Sequence, residues 1–160
     1  MTNERKGYTL IEILVGLTIV ALIFSIGYVN FRDFSRRQAL VGYARTIKGD
    51  LRVAQESALA GKKPSDIFCD PPNVLDSYYF NVVSGSNYRI TASCSGGNVI
   101  VKDVTLPSDV AISISTNPVL FKILGEGTNV PSATPTTITL TQAGTGNTRV
   151  ITITSGGEIK

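Results

Sequence analysis

An α+β fold is predicted, in which a long N-terminal helix packs on a mainly antiparallel β-sheet. Three observations predict it: an apolar run over residues 10–29, a helical stripe of apolar residues over 31–58, and a change to strand-like segments from Ser65 onward. One helix followed by a series of strands, rather than an alternation of the two, segregates the element types. Setting one membrane-length segment aside from the 160 residues leaves about 95–130 for a globular domain, enough for a single core.

The first element starts at the apolar run, whose only charge between residues 10 and 29 is Glu12. As a helix it would be about 30 Å long, the thickness of a bilayer's hydrocarbon core. The run therefore reads as membrane-inserting, and a carboxylate inside such a segment is costly enough to imply a purpose. Arg5 and Lys6 stand directly before it, which keeps the N-terminus in the cytoplasm and sends the remainder outward. Beyond residue 29 the helical pattern continues. Phe31, Phe34, Val41, Ala44, Ile47, Leu51, Ala54 and Ala58 recur at spacings of three, four or seven, which puts them on one face. Arg32, Arg36, Arg37, Arg45, Lys48 and Arg52 fall mostly away from that stripe. A solvated helix face accounts for these cations better than a lipid-headgroup or DNA patch. With no proline between Met1 and Lys63, the two halves are expected as one rod of about 80 Å. Gly61 is the expected C-terminal cap, with Lys62 and Lys63 beside the last carbonyls and Pro64 blocking continuation.

From Ser65 the period changes. Segments rich in Val, Ile, Thr and Tyr at 78–83, 88–92, 99–104, 110–115, 119–124, 137–141 and 149–154 read as strands of one sheet. Turns are signalled at Ser84-Gly85-Ser86-Asn87, Ser95-Gly96-Gly97-Asn98 and Gly144-Thr145-Gly146-Asn147. Residues 125–135, rich in glycine, proline and small polar residues, read as an exposed loop.

Composition excludes several kinds of chemistry. There is no histidine, which removes Ser-His-Asp and Cys-His catalysis and any His-ligated metal. Asp66, Asp70, Asp76, Asp103 and Asp109 are scattered and read as solvated turn residues rather than an acid–base pair. No metal or cofactor is expected. A net charge of +3 is too small for a nucleic-acid footprint. Cys69 and Cys94 both follow the membrane segment; in an oxidising compartment they would form a disulfide, the alternative being two reduced, buried thiols.

The stretch Lys6-Gly7-Tyr8-Thr9-Leu10-Ile11-Glu12 combines a short basic leader ending in glycine, a hydroxyl and a carboxylate close behind, and the membrane-length run. Together these resemble the prepilin leader of type IV pilins and type II secretion pseudopilins. The resemblance implies that a membrane aspartyl protease cuts after Gly7 and that the new amine of Tyr8 is methylated. Tyrosine stands where the family usually has phenylalanine. It also implies that Glu12 acts in assembly: its carboxylate would pair, inside a dry filament core, with the Tyr8 amine of another subunit, because an unpaired buried charge is strongly disfavoured. A local reading coexists, since Thr9-Leu10-Ile11-Glu12 also fits a capping box.

Residues 45–58 look like the helix end of H-type minor pseudopilins and their fimbrial-T relatives, and the segments 119–125, 137–140, 149–153 and 155–159 resemble that group's closing strands. The implied organisation is a leader at 1–7, a transmembrane and assembly half at 8–29, an amphipathic half at 30–61 and a β-rich domain at 65–160. The implied function is that of a structural subunit, not an enzyme: a minor pseudopilin or pilin of a type IV pilus or type II secretion pseudopilus. A major pilin and a DNA-binding or adhesive tip subunit using Lys122, Arg149 and the 125–135 loop are the alternatives. The implied partners are other subunits, a prepilin peptidase, an inner-membrane assembly platform and, before assembly, the lipid bilayer. The implied location is the cytoplasmic membrane, single-pass with the N-terminus inside, and then the filament. The helix lacks the proline common in pilins, and with only Gly16 and Gly27 to serve in its place local melting is not expected. The C-terminus, Gly156-Gly157-Glu158-Ile159-Lys160, lacks the arginine-rich tail of DNA-capturing fimbrial-T proteins, which argues against nucleic acid. Ordinary signal peptidase offers a rival cleavage near Ser25-Ile26-Gly27. The intact mass of the mature protein separates the two. Loss of residues 1–7 with gain of one methyl group is expected, whereas an N-terminus at Tyr28 or Asn30 would end the prepilin reading.

Overall fold

The computed structural model describes residues 7–160, with the side chains of residues 26–30 outside the described set. The leader positions 1–6, including Arg5 and Lys6, also lie outside it. The chain divides into two compact units, Met1–Arg37 and Gln38–Lys160.

Helix α1 covers Leu10–Leu59. Its end is set by Gly61 at φ +59, a left-handed conformation that glycine adopts without the Cβ clash. There the Lys62 N–H donates to the Ser57 carbonyl at 2.9 Å and the Gly61 N–H to the Ala58 carbonyl at 3.0 Å, so orphan carbonyls of the last turn are satisfied in a Schellman arrangement. The Tyr78 hydroxyl donates to the Lys62 carbonyl at 2.5 Å and ties this end to the first strand.

Seven strands follow: β1 Leu75–Ser84, β2 Asn87–Cys94, β3 Gly97–Thr105, β4 Val110–Ile114, β5 Val119–Lys122, β6 Thr136–Gln142 and β7 Thr148–Ile153. All seven expected strands are present, with shifted ends. The single expected sheet is instead two, a four-stranded one in the order β3-β2-β1-β5 and a three-stranded one in the order β4-β6-β7. Every pairing is antiparallel. The partition follows from β5 returning to β1 while β4 pairs with β6, a choice between distant partners that no local pattern encodes. At the β2–β3 turn, a Cβ on Gly96 would fall 2.6 Å from the Phe68 carbonyl oxygen, so the backbone approaches too closely for any side chain.

The core of the larger unit joins helix and both sheets. Leu40, Ala44, Ile47, Leu51, Ala54 and Ala58 are buried together with Tyr78, Phe80, Tyr88 and Phe121 of the first sheet and Ile138, Leu140, Ile151 and Ile153 of the second. Phe80 and Tyr88 pack with ring centroids 5.1 Å apart. Burial of each large aliphatic side chain contributes about 1.5–3 kcal/mol. The stripe is shorter than expected: Phe31 and Phe34 are exposed, and Leu40, absent from the expected set, is buried. Both phenylalanines precede residue 38 and so lie outside the unit that contains the sheets.

Two further differences concern the end of β5 and the loop after it. The strand expected at 119–124 stops at Lys122, because a short 3₁₀ turn at Ile123–Gly125 holds Leu124 at φ 54. Within the expected exposed loop 125–135, Val130 is buried. Its neighbour Asn129 accepts from the Leu120 N–H at 2.8 Å and donates to the Pro118 carbonyl at 2.9 Å, so side-chain bonds fasten the loop to β5.

A polar group also lies in the helix–sheet contact. Asp50 is 9% exposed. It accepts from the Tyr88 hydroxyl at 2.8 Å and from Lys102 Nζ at 2.6 Å, which anchors α1 to β2 and β3. Burial first, and then the hydrogen bond to Asp50, pushes the Tyr88 phenol well above its ordinary value. On the outer face, hydrogen bonds from Asn87 and then Arg89 hold the Asp103 carboxyl below the usual range. A lowered carboxylate stabilises the fold above its unfolded value, and that stabilisation disappears as pH falls through the folded value.

Cys69 and Cys94 are joined in a disulfide with Cα atoms 5.3 Å apart. It closes a loop with a sequence separation of 25, for which chain entropy assigns about 3–4 kcal/mol. Reduction is expected to lower unfolding stability by about that amount, read from urea denaturation with and without reductant; an unchanged midpoint would contradict it. Asp50→Ala is expected to cost about 2–4 kcal/mol by leaving the Tyr88 hydroxyl buried without an acceptor. Combined with Tyr88→Phe the loss should be less than additive, and strict additivity would show that the two do not act as a pair.

Candidate functional site

In the smaller unit the sequence-derived site residues lie at the entrance to α1. Gly7, Tyr8 and Thr9 are non-helical and exposed, and the helix begins at Leu10. The first amides of a helix have no intrahelical acceptor, and here Thr9 and Glu12 supply acceptors. Thr9 Oγ1 accepts from the Glu12 N–H at 3.4 Å, and Glu12 Oε2 accepts from the Thr9 N–H and the Thr9 hydroxyl, each at 3.4 Å. This is the reciprocal capping box. Its bonds are longer than the 2.7–3.2 Å typical of N–H···O contacts, so the hold is weak. A carboxylate has two oxygens and about four acceptor positions, and the capping bonds use Oε2 alone. Capping therefore leaves Glu12 with acceptor capacity and its charge.

Behind the cap the helix is apolar on every side. Leu10, Ile11, Ile13, Leu14, Val15, Leu17, Ile19, Val20, Leu22, Ile23 and Phe24 are all exposed, Leu10 by 82% and Phe24 by 74%. The polar side chains among them turn inward: the Thr18 hydroxyl donates to the Val15 carbonyl at 2.8 Å and the Ser25 hydroxyl to the Leu22 carbonyl at 2.9 Å. Bonded back to their own helix, they present no unsatisfied group to an apolar surrounding. An all-round apolar helix is stable only where something other than water surrounds it. The helix continues through Gly16 without interruption.

Among the described residues no helix is both long and apolar enough to cross a membrane. The expected span 10–29 enters residues 26–30, whose side chains are outside the described set. Residues 10–25 alone give about 24 Å of helix, short of the hydrocarbon core of about 30 Å.

Of the residues proposed for a ligand-binding tip, Lys122 lies beside the 125–135 loop through Gly125, Gly127 and Thr128, whereas Arg149 is not brought to them. Lys122 is on β5 of the four-stranded sheet and lines a hollow of about 160 Å³ with Gln55, Phe121 and Thr128. Arg149 is on β7 of the three-stranded sheet and lines a different hollow with Arg45 and Lys48. Of the aspartates read as turn residues, Asp66 Oδ1 accepts from the Phe68 N–H at 3.0 Å, whereas Asp76 and Asp103 are on β1 and β3 rather than in turns. Sequence reasoning missed Asp50, although its place three residues after Ile47 and four before Ala54 puts it on the buried stripe.

Comparison with known proteins matches this architecture. The family model described as type II transport protein GspH matches residues 43–157, well over half of the chain. A model described as the prokaryotic N-terminal methylation motif matches residues 2–28. Comparison with curated proteins finds no match. Among solved structures, the minor pseudopilin EpsH from the type 2 secretion system of Vibrio cholerae is similar in fold, with a TM-score of 0.56 at 10% identity over 76% of this chain and 94% of that one. An N-terminal methylation motif opening a helix that packs on two antiparallel sheets is thus matched at both ends of the chain, and the chain belongs to the GspH family of type II transport proteins.

Proposed function

We propose that this protein is a structural subunit, a minor pseudopilin of a type II secretion pseudopilus, rather than an enzyme. The observation that carries the reading is the helix of residues 10–25, exposed and apolar on every side, set directly behind the methylation motif. Such a surface is a liability in water and an asset in a bundle of like helices. Before assembly the same surface, extended to residue 29, anchors the chain in the inner membrane, with residues 38–160 on the outer side. A prepilin peptidase cuts after Gly7, where the absence of a side chain leaves the scissile backbone open, and the amine released on Tyr8 is methylated. The assembly platform then draws the processed chain into the filament.

Within the filament the role of Glu12 is electrostatic. The helix of one subunit enters an apolar bundle, in which both a carboxylate and an amine are costly alone and favourable as a pair. Pairing Glu12 with the Tyr8 amine of a neighbouring subunit satisfies both and sets their axial offset. The capping box supports this role, because it places the carboxylate at the helix start, four residues after the amine-bearing Tyr8.

Glu12→Gln separates charge from capping, since glutamine retains the capping bonds. The variant is expected to insert and be processed normally, while its incorporation into filaments falls by on the order of a hundredfold, as expected for removing one member of a buried ion pair. Quantifying the subunit in sheared filaments against the membrane pool measures this. Normal incorporation would leave Glu12 with its capping role alone.

A further inference from the structure

The three-stranded sheet has an open edge at the start of β7. This strand lies at the end of the order β4-β6-β7, and only its C-terminal half is covered. The Thr152 N–H donates to the Lys160 carbonyl at 3.2 Å, the Lys160 N–H donates to the Thr152 carbonyl at 2.9 Å, and the Thr154 N–H donates to the Glu158 carbonyl at 3.1 Å. In an antiparallel strand the N–H and C=O of one residue point to the same side and alternate along the chain. Because those of Thr152 point away from β6, those of Val150 and Thr148 do too. Among the described residues no group bonds the outward backbone of Val150. Thr148, Arg149 and Val150 are all exposed, so neither face of the strand is covered there.

Beside this edge is a hollow of about 320 Å³, lined by Val41, Ala44, Arg45 and Lys48 of α1 and by Arg149 and Val150 of β7. That volume is at the lower end of the range for binding clefts, about 300–1,000 Å³. Val41, Ala44 and Val150 give it apolar walls. Arg45, Lys48 and Arg149 bring three positive charges to it, and no carboxylate lines it. The ion pairs among the described residues, Arg89–Asp103, Lys102–Asp50 and Lys160–Glu158, use none of the three. One charge on an edge strand is a common guard against association. Three converging cations with no acid go further, because they select a partner of opposite charge.

We propose that this groove docks an acidic, extended segment of another protein chain. The segment adds as a strand to the open edge at Thr148 and Val150, so that main-chain bonds supply affinity. Its alternate carboxylates meet Arg45, Lys48 and Arg149, which supplies selectivity. The groove lies wholly within residues 38–160 and does not depend on the chain entering a filament.

The test uses the full chain in detergent micelles and a labelled peptide of alternating glutamate and valine, with a glutamine–valine peptide as control. Saturable binding of the acidic peptide alone is expected by fluorescence anisotropy, weakening as salt is raised, together with slowed hydrogen exchange at the Val150 amide. Arg45→Gln, Lys48→Gln and Arg149→Gln should each weaken binding about fivefold, whereas Lys62→Gln with Lys63→Gln, an equal or larger loss of charge elsewhere, should not. All are surface positions, and unchanged thermal unfolding confirms that the variants fold. Absence of saturable binding would overturn the proposal. So would single-stranded DNA or anionic vesicles binding through the same three cations without protecting Val150, which would make the groove a polyanion surface. Protection of Val150 by raising protein concentration alone would overturn it as well, by assigning the edge to a second copy of this chain.

Discussion

The demand that one backbone meet two surroundings governs this chain. Up to Phe24 the helix is apolar on every side; from Leu40 onward it is apolar along one stripe only. The stripe needs a core, and the two sheets provide one through residues such as Phe80, Phe121, Ile138 and Ile151. Every large side chain from Leu10 to Phe24 is exposed among the described residues. An apolar surface of that kind is stable only where something other than water surrounds it.

Each of these apolar surfaces carries one carboxylate. Asp50 sits in the stripe between Ile47 and Leu51, held by Tyr88 and Lys102. A buried carboxylate adds little net stability over an apolar residue, but it penalises any helix position that would separate it from its partners. At the other end, the Glu12 carboxylate closes the first turn onto Thr9 at 3.4 Å. The contact is loose enough that the same group remains available to a positive charge from outside. The capping bonds of Glu12 and the proposed intermolecular pairing are therefore compatible.

The sheets divide the molecule's exposed chemistry. Lys122 and Arg149, which a sequence reader would pool into one basic surface, are on different sheets and line different hollows. Arg149 is instead grouped with Arg45 and Lys48, a century of residues earlier in the chain. Proximity of this kind arises only once β7 has closed the second sheet beside the helix.

The sequence by itself determined the helix, its Gly61 terminus, all seven strands and the capping pair Thr9 and Glu12. These rest on periods of 3.6 and 2 and on short-range bonds, which are properties of neighbouring residues. Tertiary structure alone decided that the strands form two sheets, that Leu40 and Val130 turn inward while Phe31 and Phe34 do not, that Asp50 is buried, and that Cys69 and Cys94 meet. Each of those depends on which distant segments pair. The pattern of a strand records that it will be half buried and does not record against what, so the partner is chosen by the free energy of the whole core.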